Sequence, residues 1–390
     1  MIYEKFFLQN LEYFLGGSFL LEKYIISELL PPFFLSLGIF SSLGVAIGSL
    51  SDLSNKIVDS NLPVLMAAEV FFLKIPEFVA YALPISVLLA TLMTYGRLSS
   101  DNEVIAFKSC GVSIYKLITP ALILSFLVTC TSFVFNEVVV PSANYRATSI
   151  LVSTIKEKHT FWQNKDIFYP EYKEINIPAS DKILELKSLF YAQKFNGKEM
   201  KNLTVLQWRD KNLVQIIIAK SAIWNKKENI WDFSQGTIYK LKNDSSYEKT
   251  IHFDQKKIYL SDLPFKLASQ SRDPYEMNLK EDWDFIGILR HTGDEKKLLT
   301  FEIRTQQKLS FPFISIVFSI IGSVFGMSSL KMSRSTSFGL CIVIIFAYYI
   351  LSFVLSSLAM AKVVTPIMAG WIPTLIALFI GVLLVRKLSN

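Results

Sequence analysis

Six stretches of the chain contain no charged residue, and charged residues bound each of them. They run between Glu28 and Asp52, Glu77 and Arg97, Lys116 and Glu137, Lys308 and Lys331, Arg334 and Lys362, and Lys362 and Arg386. Each is about as long as the roughly 20 apolar residues that a helix needs to cross a bilayer. One such run can be the buried helix of a soluble protein. Six in one chain predict a membrane α-helical bundle, with three spans before a long polar segment and three after it.

The polar segment changes period. "LTVLQW" (203–208), "LVQIIIAKSAIW" (213–224), "IWDFSQGTIYKL" (230–241) and "KTIHFDQKKIYL" (249–260) are rich in β-branched and aromatic residues. The polar turn segments "RDKN", "NKKEN" and "KNDSSY" separate them, which predicts antiparallel strands in a β-sandwich or jelly-roll. The expected division is an N-terminal segment 1–20, spans one to three within 21–136, an inserted β domain 137–305, and spans four to six within 306–390. Residues 1–20 are interrupted by Glu4, Lys5 and Glu12, so they lack the apolar core of a cleavable signal. They read as a short amphipathic helix on the inner membrane surface or as an unstructured leader. Residues 61–78, which carry Glu69, Lys74 and Glu77, read as an interfacial helix leading into span two at Pro76.

Composition agrees with the pattern: of 390 residues, 51% are hydrophobic and only 19% charged. The net charge of +7 is spread along the chain, which argues against nucleic acid, whose binders concentrate basic residues on one soluble face. Its placement is a topology signal. Arg97, Lys108 and Lys116 follow span two, Lys331 and Arg334 follow span four, and Arg386 and Lys387 follow span six. All fall on one side, so the positive-inside rule places both termini in the cytoplasm and exports the insert; Lys362 alone dissents. The three cysteines, Cys110, Cys130 and Cys341, lie outside the insert, which therefore depends on an apolar core and not on disulfides.

Enzyme chemistry finds no candidate. The chain lacks a phosphate-binding G-x-x-x-x-G-K-[ST] loop and the H-E-x-x-H, C-x-x-C and G-x-S-x-G patterns. His159, His252 and His291 are scattered, so no metal site and no cofactor are expected. The spans carry no Asp, Glu or His relay of the kind that moves protons.

Between spans two and three the sequence reads "TYGRLSSDNEVIAFKSCGVSIYK" (94–116). Ser100 and Glu103 have the spacing of a capping box, Asp101 and Glu103 suit a helix N-terminus, and Gly111 is a helix stop. These signals predict a helix over 100–110, too short to be stable alone in water. Two readings fit: a well-made loop in which Glu103 only caps, or a docking element for a cytoplasmic protein.

The segment "GRLSSDNEVIAFKSCGVS" closely resembles the cytoplasmic coupling segment of the lipopolysaccharide-export permeases, the LptF/LptG (YjgP/YjgQ) family. "YIISELLPPFF" (24–34), "FNEVVVPSANYRA" (135–147), "QQKLSFPFISIVFSIIGSVFG" (306–326), "FAYYILSFVLSSLA" (346–359) and "PIMAGWIP" (366–373) extend the likeness over both membrane halves. The resemblance implies an ABC-transporter permease that lacks its own nucleotide site and pairs with a second such permease over a cytoplasmic ATPase dimer. The insert would be a periplasmic β-jelly-roll that passes lipopolysaccharide, or a related glycolipid, to jelly-roll bridge proteins. Glu103 would occupy the position of the ATPase-coupling acid, flanked by Arg97, Asp101 and Lys108. Lipid would enter between spans one and five.

The likeness has departures. The outer end of span one, where the family carries basic residues, reads "GSLSDLSNK", with Asp52 acidic and Lys56 the one basic residue. Thr374 stands in "GWIPT" where Asn is common in the family. Two alternatives keep part of the picture. Lipoprotein-releasing or efflux permeases usually place the insert after the first span, and a membrane-anchored scaffold would need neither six spans nor a coupling helix.

Overall fold

Every charge-free run contains a long helix in the computed structural model, which describes residues 2–50, 63–158, 164–175, 183–195, 199–209, 212–225, 228, 230–241, 247–259, 273–290, 294–328 and 333–389. The helices are α1 (Ile2–Val45, ending in a π-helical turn Ala46–Leu50), α2 (Val64–Ser100), α3 (Glu103–Ser109), α4 (Ile114–Val134) and α5 (Val140–Lys158). After the strands come α6 (Leu279–Leu289), α7 (Glu295–Ser310), α8 (Ile314–Ser328), α9 (Arg334–Met360) and α10 (Pro366–Ser389). Six helical stretches are long and apolar enough to cross a bilayer: Leu20–Gly48, Val64–Ser100, Ile114–Leu151, Glu295–Ser328, Ser335–Met360 and Pro366–Leu388.

Two expectations change. The N-terminal segment forms no separate helix, because α1 starts at Ile2 and runs unbroken into the first span. Nor, among the described residues, does a separate helix precede span two. α2 begins at Val64 and passes through Pro76 and Pro84 without a break. Lys74 and Glu77 pair at 3.1 Å, one helical turn apart, so the charges that suggested a surface helix neutralise each other on it.

The chain divides into two compact units. One comprises Met1–Ala147, Tyr275–Leu279 and Glu302–Asn390; the other comprises Thr148–Pro274 and Lys280–Phe301. In the first, α2 is the central helix: 72% of its apolar window is buried, against 6% for the span in α9. Ile25, Leu29 and Phe33 of α1, Val87, Tyr95 and Leu98 of α2, Leu117 and Ala121 of α4 and Val324 of α8 share one core. Small residues allow α8 to lie close to α2. A Cβ on Gly326 would stand 2.7 Å from that of Tyr95. Several buried hydroxyls are satisfied on the backbone, as when Ser86 donates to Ala82 O at 2.7 Å and Thr129 to Pro312 O at 3.1 Å.

The second unit is built on one antiparallel sheet of β1 (Asn164–Ile175), β2 (Ile183–Phe195), β3 (Glu199–Arg209), β4 (Asn212–Asn225), β5 (Ile230–Leu241) and β6 (Tyr247–Ile258). Each strand pairs with the next in chain order. The insert thus carries a β domain, and its described strands pair antiparallel as a single meander. The four apolar runs of the sequence lie in β3 to β6. β1 was hidden because it carries Pro170 and several charged residues, tolerable where a strand occupies a sheet edge.

A crease lets this single sheet enclose a core. Gln193, Asn202, Lys220, Gln235 and Asp254 stand at one level of β2 to β6, and the ladder skips all five while pairing the residues on either side. Asn202 and Gln235 have φ of 51° and 49°. On one side of the crease the buried positions are Ala192, Leu203 and Ala219; on the other they are Met200, Ala222 and Phe233, so the inward face changes parity. Trp231 is fully buried there, with the rings of Trp224 and Phe190 at 5.3 and 5.4 Å. Gly236 borders the crease, where an added Cβ would meet Ile218 O at 2.6 Å.

Candidate functional site

The last turn of α2 and the short α3 form a tight reversal. Asp101 closes α2, its N–H donating to Arg97 O at 2.9 Å, and Asn102 turns the chain at φ 61°. Asparagine tolerates this left-handed conformation better than most residues. α3 then runs for only seven residues. It ends where Gly111 adopts φ 81°, with Gly111 N–H on Lys108 O at 2.9 Å and Val112 N–H on Phe107 O at 3.0 Å. This paired pattern satisfies the carbonyls left over at a helix end. Ser113 starts α4 by accepting from Lys116 N–H.

The capping box predicted for Ser100 is not formed. Ser100 is the last residue of α2, and Asn102 stands at the N-cap of α3 with no side-chain cap bond. The physical reason is the continuity of α2: it stays helical through Ser100, so the reversal is left to two residues and the serine hydroxyl remains on the preceding helix.

Released from capping, the Glu103 carboxylate reaches α1. The Tyr24 hydroxyl donates to Glu103 Oε2 at 2.9 Å and lies 3.2 Å from Oε1. Arg97 on α2 gathers the remaining charges: its guanidinium is 2.9 Å from Glu28, 3.4 Å from Asp101 and 3.7 Å from Glu103. It also donates to the Tyr24 hydroxyl at 3.5 Å. Three carboxylates around one guanidinium leave a local excess of negative charge, and each group is partly exposed. Solvent screening limits what these pairs contribute to stability, but the field they present to a cation remains.

Apolar contacts seat α3 along one edge only. Val104 is buried in the α1–α2–α4 core and Phe107 packs against it, whereas Ile105 is 49% exposed and Lys108 stands in solvent. The site therefore brings together Arg97, Asp101 and Glu103. It leaves Lys108 at the far end of α3 and Ser100 outside the network. Lys56 lies outside the described residues. The pattern of motifs did not single out Tyr24 and Glu28, although their spacing in "YIISE", four residues apart on α1 just before a charge-free run, puts both on one helical face. Among the described residues no group of His, Cys, Asp and Glu could hold a metal ion. What the arrangement offers chemically is an anionic, hydrogen-bond-accepting surface on a weakly seated helix.

The family model described as "Lipopolysaccharide export system permease LptF/LptG" matches residues 23–387. The chain belongs to the LptF/LptG permease family. The match spans both groups of membrane helices, the β insert and α3. The lipopolysaccharide export system permease protein LptF of Escherichia coli (strain K12) is 34% identical over 68 residues, 17% of this chain and 19% of that protein. The protein of the same description from Shigella flexneri gives the same figures. The alignment thus spans about a fifth of the length of these curated relatives. LptF/LptG permeases are transporter components, so the absence of a catalytic constellation from the sequence accords with the family.

Proposed function

We propose that this chain is the permease subunit of an ABC transporter in the inner membrane. It extracts lipopolysaccharide, or a related glycolipid, and passes it to a periplasmic β-jelly-roll bridge. A separate cytoplasmic ATPase dimer drives the process, and a second LptF/LptG-type permease completes the membrane unit. Both termini face the cytoplasm and the β insert faces the periplasm, in keeping with the positive-inside distribution of Arg97, Lys108, Arg334, Arg386 and Lys387. Spans one and five line the route of the lipid.

The observation that carries the reading is α3. A seven-residue helix is too short to persist by itself, yet it presents Glu103 at its start, beside Asp101 at the end of α2, and an exposed Ile105 on its side. A permease family without a nucleotide-binding motif needs an external motor, and α3 is the element shaped to meet one. Arg97 steadies the acidic groups, and Lys108 extends the docking face at the opposite end.

Charge reversal tests this. Glu103→Lys should weaken capture of the purified ATPase dimer by more than tenfold and abolish ATP-driven lipid release from proteoliposomes, with the thermal unfolding midpoint unchanged. Wild-type capture and release in that variant would remove α3 as the docking element.

A further inference from the structure

We propose that Tyr24 is a positioning residue for Glu103: its hydroxyl holds the docking carboxylate in one orientation and ties α3 to α1. The inference rests on the docking role given to Glu103 above and adds what sets the orientation of that group.

The geometry is specific. Both Glu103 oxygens face the Tyr24 hydroxyl, at 2.9 and 3.2 Å, while Arg97, the nearest cation, is 3.7 Å away, beyond hydrogen-bonding range. Tyr24 therefore supplies the one short contact to this carboxylate among the described residues. Arg97 holds it less closely: the nitrogen nearest Glu103 also faces Asp101 at 3.4 Å, and the other terminal nitrogen lies 2.9 Å from Glu28. A carboxylate offers about four lone-pair directions, and Tyr24 approaches from the α1 side. The Glu103 side chain keeps 29% of its surface exposed, so the remaining directions are open to a donor from outside. The tyrosine ring also packs against the helix core, which fixes where the hydroxyl stands.

A glutamate held in this way has less rotamer freedom to lose when a partner binds it, and ordering one such side chain is worth a several-fold change in affinity. The same bond joins α3 to α1 across 79 positions of sequence, so a push on α3 is felt by the first span as well as the second.

The test is a double-mutant cycle on the full-length permease with its partner permease in nanodiscs, titrated with the purified ATPase dimer. Tyr24→Phe keeps the ring and removes only the hydroxyl. We expect it to weaken ATPase binding about threefold to tenfold, with the thermal midpoint unchanged. In a Glu103→Ala background the same substitution should change binding by less than about twofold, because its target is gone. Wild-type binding by Tyr24→Phe overturns the proposal, and so does an equal loss in both backgrounds, which would mean that Tyr24 acts on something other than Glu103. If Glu103→Ala alone binds as wild type, the docking role of Glu103 falls first and the proposal with it. That outcome is visible in the single variant, whatever Tyr24 does.

Discussion

Arg97 lies 2.9 Å from Glu28 and 3.7 Å from Glu103, so one guanidinium on α2 joins a carboxylate of the first span to the carboxylate that opens α3. The relationship gives the reversal between the second and third spans its electrostatic character. Two helices and a short connector meet where acidic groups outnumber basic ones, at a point where only Val104 anchors the connector by full burial.

Replacement of Arg97 by Gln should expose that imbalance. Each pair involves side chains that are more than a quarter exposed, so each contributes at most about 1 kcal/mol in screened solution. The expected loss of stability is about 1 kcal/mol near 20 mM salt, falling toward zero by about 500 mM as the unbalanced carboxylates are screened. Chemical denaturation of the detergent-solubilised protein at the two salt concentrations measures it. A loss that does not depend on salt would mean that Arg97 contributes by packing and not by charge.

Ser100 and Gly111, which both looked like caps of one helix, should behave oppositely. Ser100 ends α2 and makes no cap to α3, so Ser100→Ala should change stability by less than about 0.5 kcal/mol. Gly111 stands at φ 81° with nothing within 4 Å of an added Cβ, so Gly111→Ala meets no steric obstacle. Its cost is conformational alone, about 1 kcal/mol, and falls on α3. Hydrogen exchange at residues 103–110 should speed up in Gly111→Ala and stay at the wild-type rate in Ser100→Ala. The reverse ranking would restore the capping box.

These two residues also mark how far the chain could be read without coordinates. The six spans were legible because burial in a bilayer demands long charge-free runs, a demand stated by composition alone. β3 to β6 were legible because their inward positions are filled by β-branched and aromatic residues. β1, at an edge, needs fewer of these and carries Pro170 instead. The crease at Asn202 and Gln235 was not legible, since nothing local in "KNLT" or "SQGT" says that five strands will be skipped at one level. At the site, Arg97, Asp101 and Glu103 were found because they are neighbours in sequence. Tyr24 was not, because its partner is 79 positions away and a tyrosine at the head of a membrane span is ordinarily an interfacial anchor. The capping box failed for a related reason: the motif specifies a bond that a local helix start would make, but α2 had not yet ended.

The α2–α8 contact gives a prediction in which two glycines should differ. A Cβ on Gly322 would stand 3.0 Å from Leu88 O and 3.1 Å from Thr91 Cβ, and closer still to the Thr91 hydroxyl. Backbone cannot yield as a flexible side chain can, so Gly322→Ala should destabilise by about 1–3 kcal/mol. Thr91 donates its hydroxyl to Val87 O and Leu88 O within its own helix, so Thr91→Ala alone should cost no more than about 1 kcal/mol. In the Gly322→Ala background it should restore part of the loss by clearing the hydroxyl, though not all of it, because the Leu88 carbonyl stays. Gly339 on α9 has nothing within 4 Å of an added Cβ, and Gly339→Ala should be neutral or slightly stabilising. Midpoints of heat-induced loss of the monodisperse peak on size exclusion, compared across the four variants, measure the set. Equal losses at Gly322 and Gly339 would show that helix conformation, and not the close approach of α8 to α2, is what these glycines serve.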